Sequence, residues 1–139
     1  MILSQHLITK EKYAIKSIQP YVHKADEVSK VFKEALVLQK LNHPNVIRLF
    51  NVFQLPDTRI IFFMEYLRGG SLADHLKNFE GERVKESAAQ KIMYEVTCAI
   101  NFCHQRQIVH RDIKLENIML REKGDVSSGL VIIDFGIAG

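Results

Sequence analysis

Apolar and polar positions change period several times along this chain, and each change marks an element. Ile2 to Ile18 gathers apolar residues on either side of the polar Thr9-Lys10-Glu11-Lys12, which predicts two strands joined by a turn. Between Ala25 and Leu41 the apolar positions Val28, Val31, Phe32, Ala35, Leu38 and Leu41 recur at threes and fours, the spacing of an amphipathic helix. Pro44 ends it, because the residue before a proline avoids the helical region. Val46–Phe53 and Arg59–Met64 read as two further strands, with Leu55-Pro56-Asp57-Thr58 as the turn between them. Arg68-Gly69-Gly70 breaks the pattern as a flexible junction, and Ser71 is placed to cap a short helix running to about Asn78. From Glu86 to His104, Ala89, Ile92, Met93, Val96, Ala99, Ile100 and Cys103 form a broad helical stripe. A loop around His110, a strand near Ile118–Leu120, a polar turn at Lys123-Gly124-Asp125 and an apolar run from Leu130 to Ile133 follow.

Composition narrows this to a folded domain. The 139 residues are 47% hydrophobic and 25% charged, and 19 Lys plus Arg against 16 Asp plus Glu leave a formal charge of +3. Those proportions argue against disorder and low-complexity chains. Neither side of Tyr66 concentrates basic residues, so nucleic-acid or anionic-membrane binding draws no support from charge. The longest apolar run, Ile60 to Met64, is far short of the roughly 20 residues that span a bilayer. The start of the chain lacks the basic residues and long apolar core of a secretory signal, so an intracellular, cytoplasmic protein is expected. Cys98 and Cys103 have no C-x-x-C spacing and read as reduced core residues, and the histidines form no Cys/His cluster for a structural metal.

Four separated segments carry polar residues that packing does not explain. The fullest is His110-Arg111-Asp112-Ile113-Lys114-Leu115-Glu116-Asn117, and Asp134-Phe135-Gly136 stands directly after the last apolar run. Upstream are Tyr13-Ala14-Ile15-Lys16 and the helix bearing Glu34. Each piece alone is weak. The ordered set, with Leu41-Asn42-His43-Pro44-Asn45 after the helix and Gly69-Gly70 at the junction, resembles the eukaryotic protein kinases of the serine/threonine type along almost the entire chain.

That resemblance implies an α+β, two-lobe kinase-like fold, incomplete. Residues 1–64 would be an antiparallel-sheet N-lobe with one helix, 65–70 the hinge, and 71–139 the first part of a mainly helical C-lobe. It also implies roles. Lys16 would contact the α- and β-phosphates of ATP, held by an ion pair with Glu34, which alone reads equally well as a solvated charge. Asp134 and Asn117 would hold Mg²⁺, for which oxygen ligands are apt. Asp112 would accept or orient the proton of the attacking hydroxyl, and Lys114, which tyrosine kinases usually lack, would meet the γ-phosphate and make a protein serine or threonine the acceptor. Glu65 and Leu67 would meet adenine through their backbones, with Met64 behind them and Ala14 and Met119 on either side of the ring. Leu38, Leu49, His110 and Phe135 resemble the stacked residues that join the two lobes of active kinases.

The chain also departs from the family. No G-x-G-x-x-G occurs, and counting back from Lys16 places Met1 just after the family's glycine-rich loop. Gly139 lies three residues past Gly136, before any activation segment or A-P-E motif, so Arg111 has no activation-loop phosphate to meet and reads as a loop arginine bonded to nearby carbonyls. Leu115 replaces the usual proline, and Ser71 stands where many kinases that prefer basic substrates have an acidic residue. Lobes of about 70 residues are marginal alone, so self-association, a stabilising partner or the remainder of a domain is expected. Two readings therefore compete: a fragment of an ATP-dependent serine/threonine kinase with its catalytic residues intact, and a non-catalytic remnant that binds nucleotide or protein.

Overall fold

A computed structural model of the chain describes residues 2–6, 8–19, 25–77, 84–136 and 138. The chain divides into two compact units: Met1–Asn42 with Arg48–Tyr66, and His43–Ile47 with Leu67–Gly139.

The first unit is an antiparallel sheet and one helix. Its strands are β1 (Ile2–Gln5), β2 (Lys12–Ile18), β3 (Leu49–Gln54) and β4 (Ile60–Glu65), in the spatial order β1-β2-β4-β3. Alternation along β4 buries Ile60, Phe62 and Met64 and leaves Ile61 and Phe63 half-exposed, the period of a strand covered on one face. The register pairs Ala14 with Met64 and Lys16 with Phe62, so these four residues share the buried face. Helix α1 (Ala25–Gln39) buries Glu34, Ala35, Val37 and Leu38, with Leu41 just beyond it. Phe32, which the apolar spacing assigns to that stripe, is instead 38% exposed. The buried arc runs through Glu34 and Leu38 and leaves Phe32 at its far side, because it includes a carboxylate that hydropathy alone places outside.

Strand β3 begins at Leu49, three residues later than the pattern suggests. Val46 belongs to the second unit, where it forms an isolated parallel bridge to Ile132. The backbone hydrogen bonds of Ile47 N to Ile132 O and Ile132 N to Asn45 O, both 2.9 Å, explain the difference. An apolar pair such as Val46-Ile47 suits either sheet, and the bonds available on each side decide.

The second unit contains α2 (Leu72–Leu76), α3 (Glu86–His104), a 3₁₀ turn (Leu115–Asn117), β5 (Ile118–Glu122) and β6 (Asp125–Ile132). Ser71 caps α2, its Oγ accepting from Asp74 N at 3.0 Å, while Asn78 lies outside the described residues. Helix α3 buries Ile92, Val96, Ala99 and Cys103, a stripe at steps of four, three and four. Met93 lies about a third of a turn round from it and is 62% exposed, against the broader stripe the sequence suggests. The β5–β6 hairpin turns at Gly124 (φ +73°), and β6 starts at Asp125, inside the polar segment that reads as a turn.

The glycine junction is fixed rather than flexible. Arg68 N and Gly69 N donate to Arg121 O and Leu120 O, and Leu120 N donates to Gly70 O, all within 3.1 Å. A Cβ at Gly69 would stand 2.3 Å from Leu120 Cβ and 2.5 Å from its carbonyl oxygen, so the close approach itself requires glycine. Among the described residues no helix is long and apolar enough to cross a membrane.

Candidate active site

Each unit gathers its own share of the polar residues. In the first, Lys16 Nζ donates to Glu34 Oε1 at 2.6 Å, and the ammonium also lies 5.7 Å from the centre of the Phe62 ring. The two partners differ in exposure, Glu34 at 6% and Lys16 at 29%. A carboxylate this buried is retained in charged form only with a close cation, and Lys16 supplies it from the middle of β2. Ala14 and Met64 lie opposite each other in the same sheet, both buried. Glu65 is engaged with Arg48, whose backbone N–H donates to its Oε1 at 2.9 Å and whose carbonyl accepts the Glu65 N–H at 3.0 Å.

In the second unit a loop organises itself around one carboxylate. Asp112 Oδ2 accepts from Lys114 Nζ at 2.7 Å and from Asn117 Nδ2 at 2.9 Å, and Asn117 Nδ2 also donates to the Asp112 carbonyl at 2.9 Å. The 3₁₀ turn explains the spacing: it folds the chain back so that Asn117, buried, reaches the start of its own loop. Both side-chain bonds fall on Oδ2, and Oδ1 takes neither of them. The Lys114 ammonium, chiefly through its hydrogen bond, holds the Asp112 carboxyl below the usual carboxylate range, while Asp112 pushes Lys114 up. Asp112 is therefore ionised throughout the physiological range.

His110 ties this loop to the end of β6. Its Nδ1 accepts from Asp112 N at 3.2 Å, which puts the proton on Nε2, and Nε2 lies 2.9 Å from Ile133 O as its donor. Ile133 N donates in turn to Asn117 O at 2.9 Å. The His110 ring meets Phe135 edge-on at 4.5 Å between centroids, and Phe135 is almost fully buried. Asp134, between these two anchored residues, is exposed and takes a left-handed backbone (φ 64°), as does Arg111 (φ 68°). Such conformations are uncommon for residues with a side chain and gather where a fold holds functional groups in place.

The donor set suits a hard divalent cation. Both Asn117 amide hydrogens are committed to Asp112, so its carbonyl oxygen is the atom with lone pairs to offer, and Asp134 is an exposed carboxylate. Among the described residues no three His, Cys, Asp or Glu side chains are grouped to cage a metal. A cation held by one carboxylate and one amide draws its other ligands from water or from a phosphate, the habit of Mg²⁺.

A family model described as "Protein kinase domain" matches residues 2–139. This chain belongs to the protein kinase family. It is 36% identical over 136 residues to a Danio rerio protein, "Serine/threonine-protein kinase SIK3 homolog", a match that covers 98% of the chain and 11% of that relative. The chain thus spans about a tenth of the length of the curated kinase it matches. The α+β architecture, a four-stranded antiparallel sheet with one helix followed by a helical segment, agrees with the kinase domain.

Leu67, buried, and Met119, half-buried on β5, fall in the second unit, and Met119 forms a bridge with Ser71. Sequence reasoning missed one cluster, that of Asn45, Glu95 and Leu130. Its only signal was a carboxylate, Glu95, set among Ile92, Val96 and Ala99 on the buried side of a helix.

Proposed function

We propose that this kinase chain carries the ATP-dependent phosphoryl-transfer residues of a protein serine/threonine kinase. The observation that supports this best is the loop in which Lys114 and Asn117 both bond Asp112 Oδ2 while Oδ1 takes no bond from either. An ionised carboxylate with one oxygen held and one left to face an acceptor is suited to orient a substrate hydroxyl and take its proton as the O–P bond forms. Lys114, next to it, compensates charge on the transferred phosphoryl group. The name of the Danio rerio relative supports a serine or threonine acceptor, as does a lysine at this position.

Lys16 is the cation for the α- and β-phosphates, and Glu34 fixes its ammonium. Asp134 and Asn117 are the residues that would hold Mg²⁺, which when bound neutralises developing phosphate charge. On this reading Ala14, Met64, Glu65, Leu67 and Met119 are the residues that would meet adenine. The partners on this reading are ATP and a protein hydroxyl, within residues 1–64, 65–70 and 71–139 as N-lobe, hinge and start of the C-lobe.

The test is calorimetric titration of the chain with ATP, with and without Mg²⁺, alongside Lys16→Met and Asp134→Asn. Saturable Mg²⁺-dependent binding weakened in both variants is expected, followed by transfer to serine rather than tyrosine peptides. Binding without any transfer would favour a nucleotide-binding remnant. No binding by a chain with native far-ultraviolet circular dichroism would remove the reading.

A further inference from the structure

The outer edge of β6 is held by groups that the phosphoryl-transfer reading leaves unused. In a strand, the N–H and C=O of alternate residues point to the same edge. Val131 faces β5, where it pairs with Met119, so Leu130 and Ile132 turn their backbone groups the other way. An unpaired edge there would leave the strand that leads to Asp134 free to slip or fray. It is covered from two directions. Leu130 N donates to Glu95 Oε2 at 2.7 Å, and Leu130 O accepts from Asn45 Nδ2 at 2.7 Å. Asn45 Nδ2 donates as well to Glu95 Oε2 at 3.0 Å, and Asn45 O accepts Ile132 N at 2.9 Å. The Glu95 carboxylate is steadied by Lys91 Nζ, 3.6 Å from Oε1, and Arg121 of β5 bonds the carbonyl of Pro44.

We propose that Glu95 and Asn45 are positioning residues that set the register of β6, and through it the place of the Asp134 carboxylate. This rests on the reading of Asp134 as a metal ligand. The path is short and entirely hydrogen-bonded. Glu95 orients the Asn45 amide, Asn45 spans Leu130 and Ile132, and Asp134 is the second residue after Ile132. His110 and Asn117 hold the other side of the path through Ile133, so Asp134 leaves a strand end pinned at consecutive residues. Glu95 takes the role that a neighbouring strand's carbonyl plays elsewhere, and a helix can offer that acceptor only through a side chain.

The experiment compares Glu95→Ala, Glu95→Gln and Asn45→Ala with the parent chain by amide hydrogen exchange, followed by Mg²⁺-dependent ATP titration. In Glu95→Ala and Asn45→Ala, exchange at Ile132 and Ile133 should rise by about tenfold, the loss of one charge-assisted hydrogen bond, while Val96 to Cys103 in α3 stay protected. Glu95→Gln keeps an acceptor for Leu130 N and should stay within about twofold of the parent. In parallel, the factor by which Mg²⁺ tightens ATP binding should fall in the alanine variants with metal-free ATP affinity unchanged. Unchanged exchange at Ile132 and Ile133, or an equal rise across α3, would overturn the proposal. So would an unaltered Mg²⁺ effect in Glu95→Ala. A parent that binds no ATP defeats the functional reading instead, and the exchange measurement still decides the positioning one.

Discussion

Two lysine–carboxylate pairs of nearly equal length, one in each unit, behave as different objects. Lys16–Glu34 closes at 2.6 Å and Lys114–Asp112 at 2.7 Å. The first pair has its acid 6% exposed, whereas the second is 49% exposed at the lysine and 34% at the aspartate. A buried carboxylate depends on its partner for its charge, so the contact is part of the fold of the first unit. An exposed pair is screened by water and contributes little to stability, so on the proposed reading its value would be chemical: a lysine and an ionised aspartate open to a substrate. Proximity alone does not say whether an ion pair is architecture or equipment; burial does.

The contrast breaks most sharply at Asp112. In Asp112→Asn, kcat for peptide phosphorylation should fall by about 10² to 10⁴-fold, the usual worth of a positioned proton acceptor, with ATP affinity and melting temperature close to the parent. A variant with normal turnover would show that the loop carries no proton transfer. Glu34→Ala should do the reverse in kind. Losing the buried partner of Lys16 is expected to cost about 2–3 kcal/mol of stability and to weaken ATP binding, read by urea denaturation and calorimetry. Gly69→Ala comes next, at about 1–3 kcal/mol, because a methyl group cannot enter 2.3 Å from Leu120 Cβ without moving β5. A melting temperature unchanged in Gly69→Ala would mean the junction yields freely.

Much of this was legible in the sequence, for reasons that differ by residue. The period of α3 and the alternation of β4 are local and show directly in hydropathy. The loop from His110 to Asn117 is also local, since the 3₁₀ turn brings Asn117 back to Asp112 within six residues. What sequence could not show was set by partners far along the chain. Val46 pairs with Ile132, and Asn45 meets Leu130 across 85 positions. Those contacts are chosen by hydrogen bonds that hydropathy does not encode. Ser127, Ser128 and Gly129 lie in β6 without any strand-like pattern, carried by pairing with β5. Exposure of Phe32 and Met93 was hidden for a related reason: an apolar residue beside a stripe is indistinguishable by period from one within it.

The smallest expected effect concerns pH and turns on the exposed pair. The Asp112 pKa is lowered in the fold, first by the Lys114 hydrogen bond, so the attraction is present above the ordinary value of 3.8 and is lost as pH falls through the lowered one. The Lys114 pKa is raised, so its contribution is complete below 10.5 and is lost as pH rises through the raised value. The pair consequently persists across the whole neutral range, and no acid limb from Asp112 should appear in ATP binding or turnover between pH 5 and 8. Lys114→Met removes the main cause of the depression. The Asp112 pKa, followed by carboxyl carbon NMR, should then move upward toward its ordinary value of 3.8. An Asp112 titration left unmoved in Lys114→Met would mean that the lysine does not set the state of this carboxylate, and the chemical reading of the exposed pair would no longer hold.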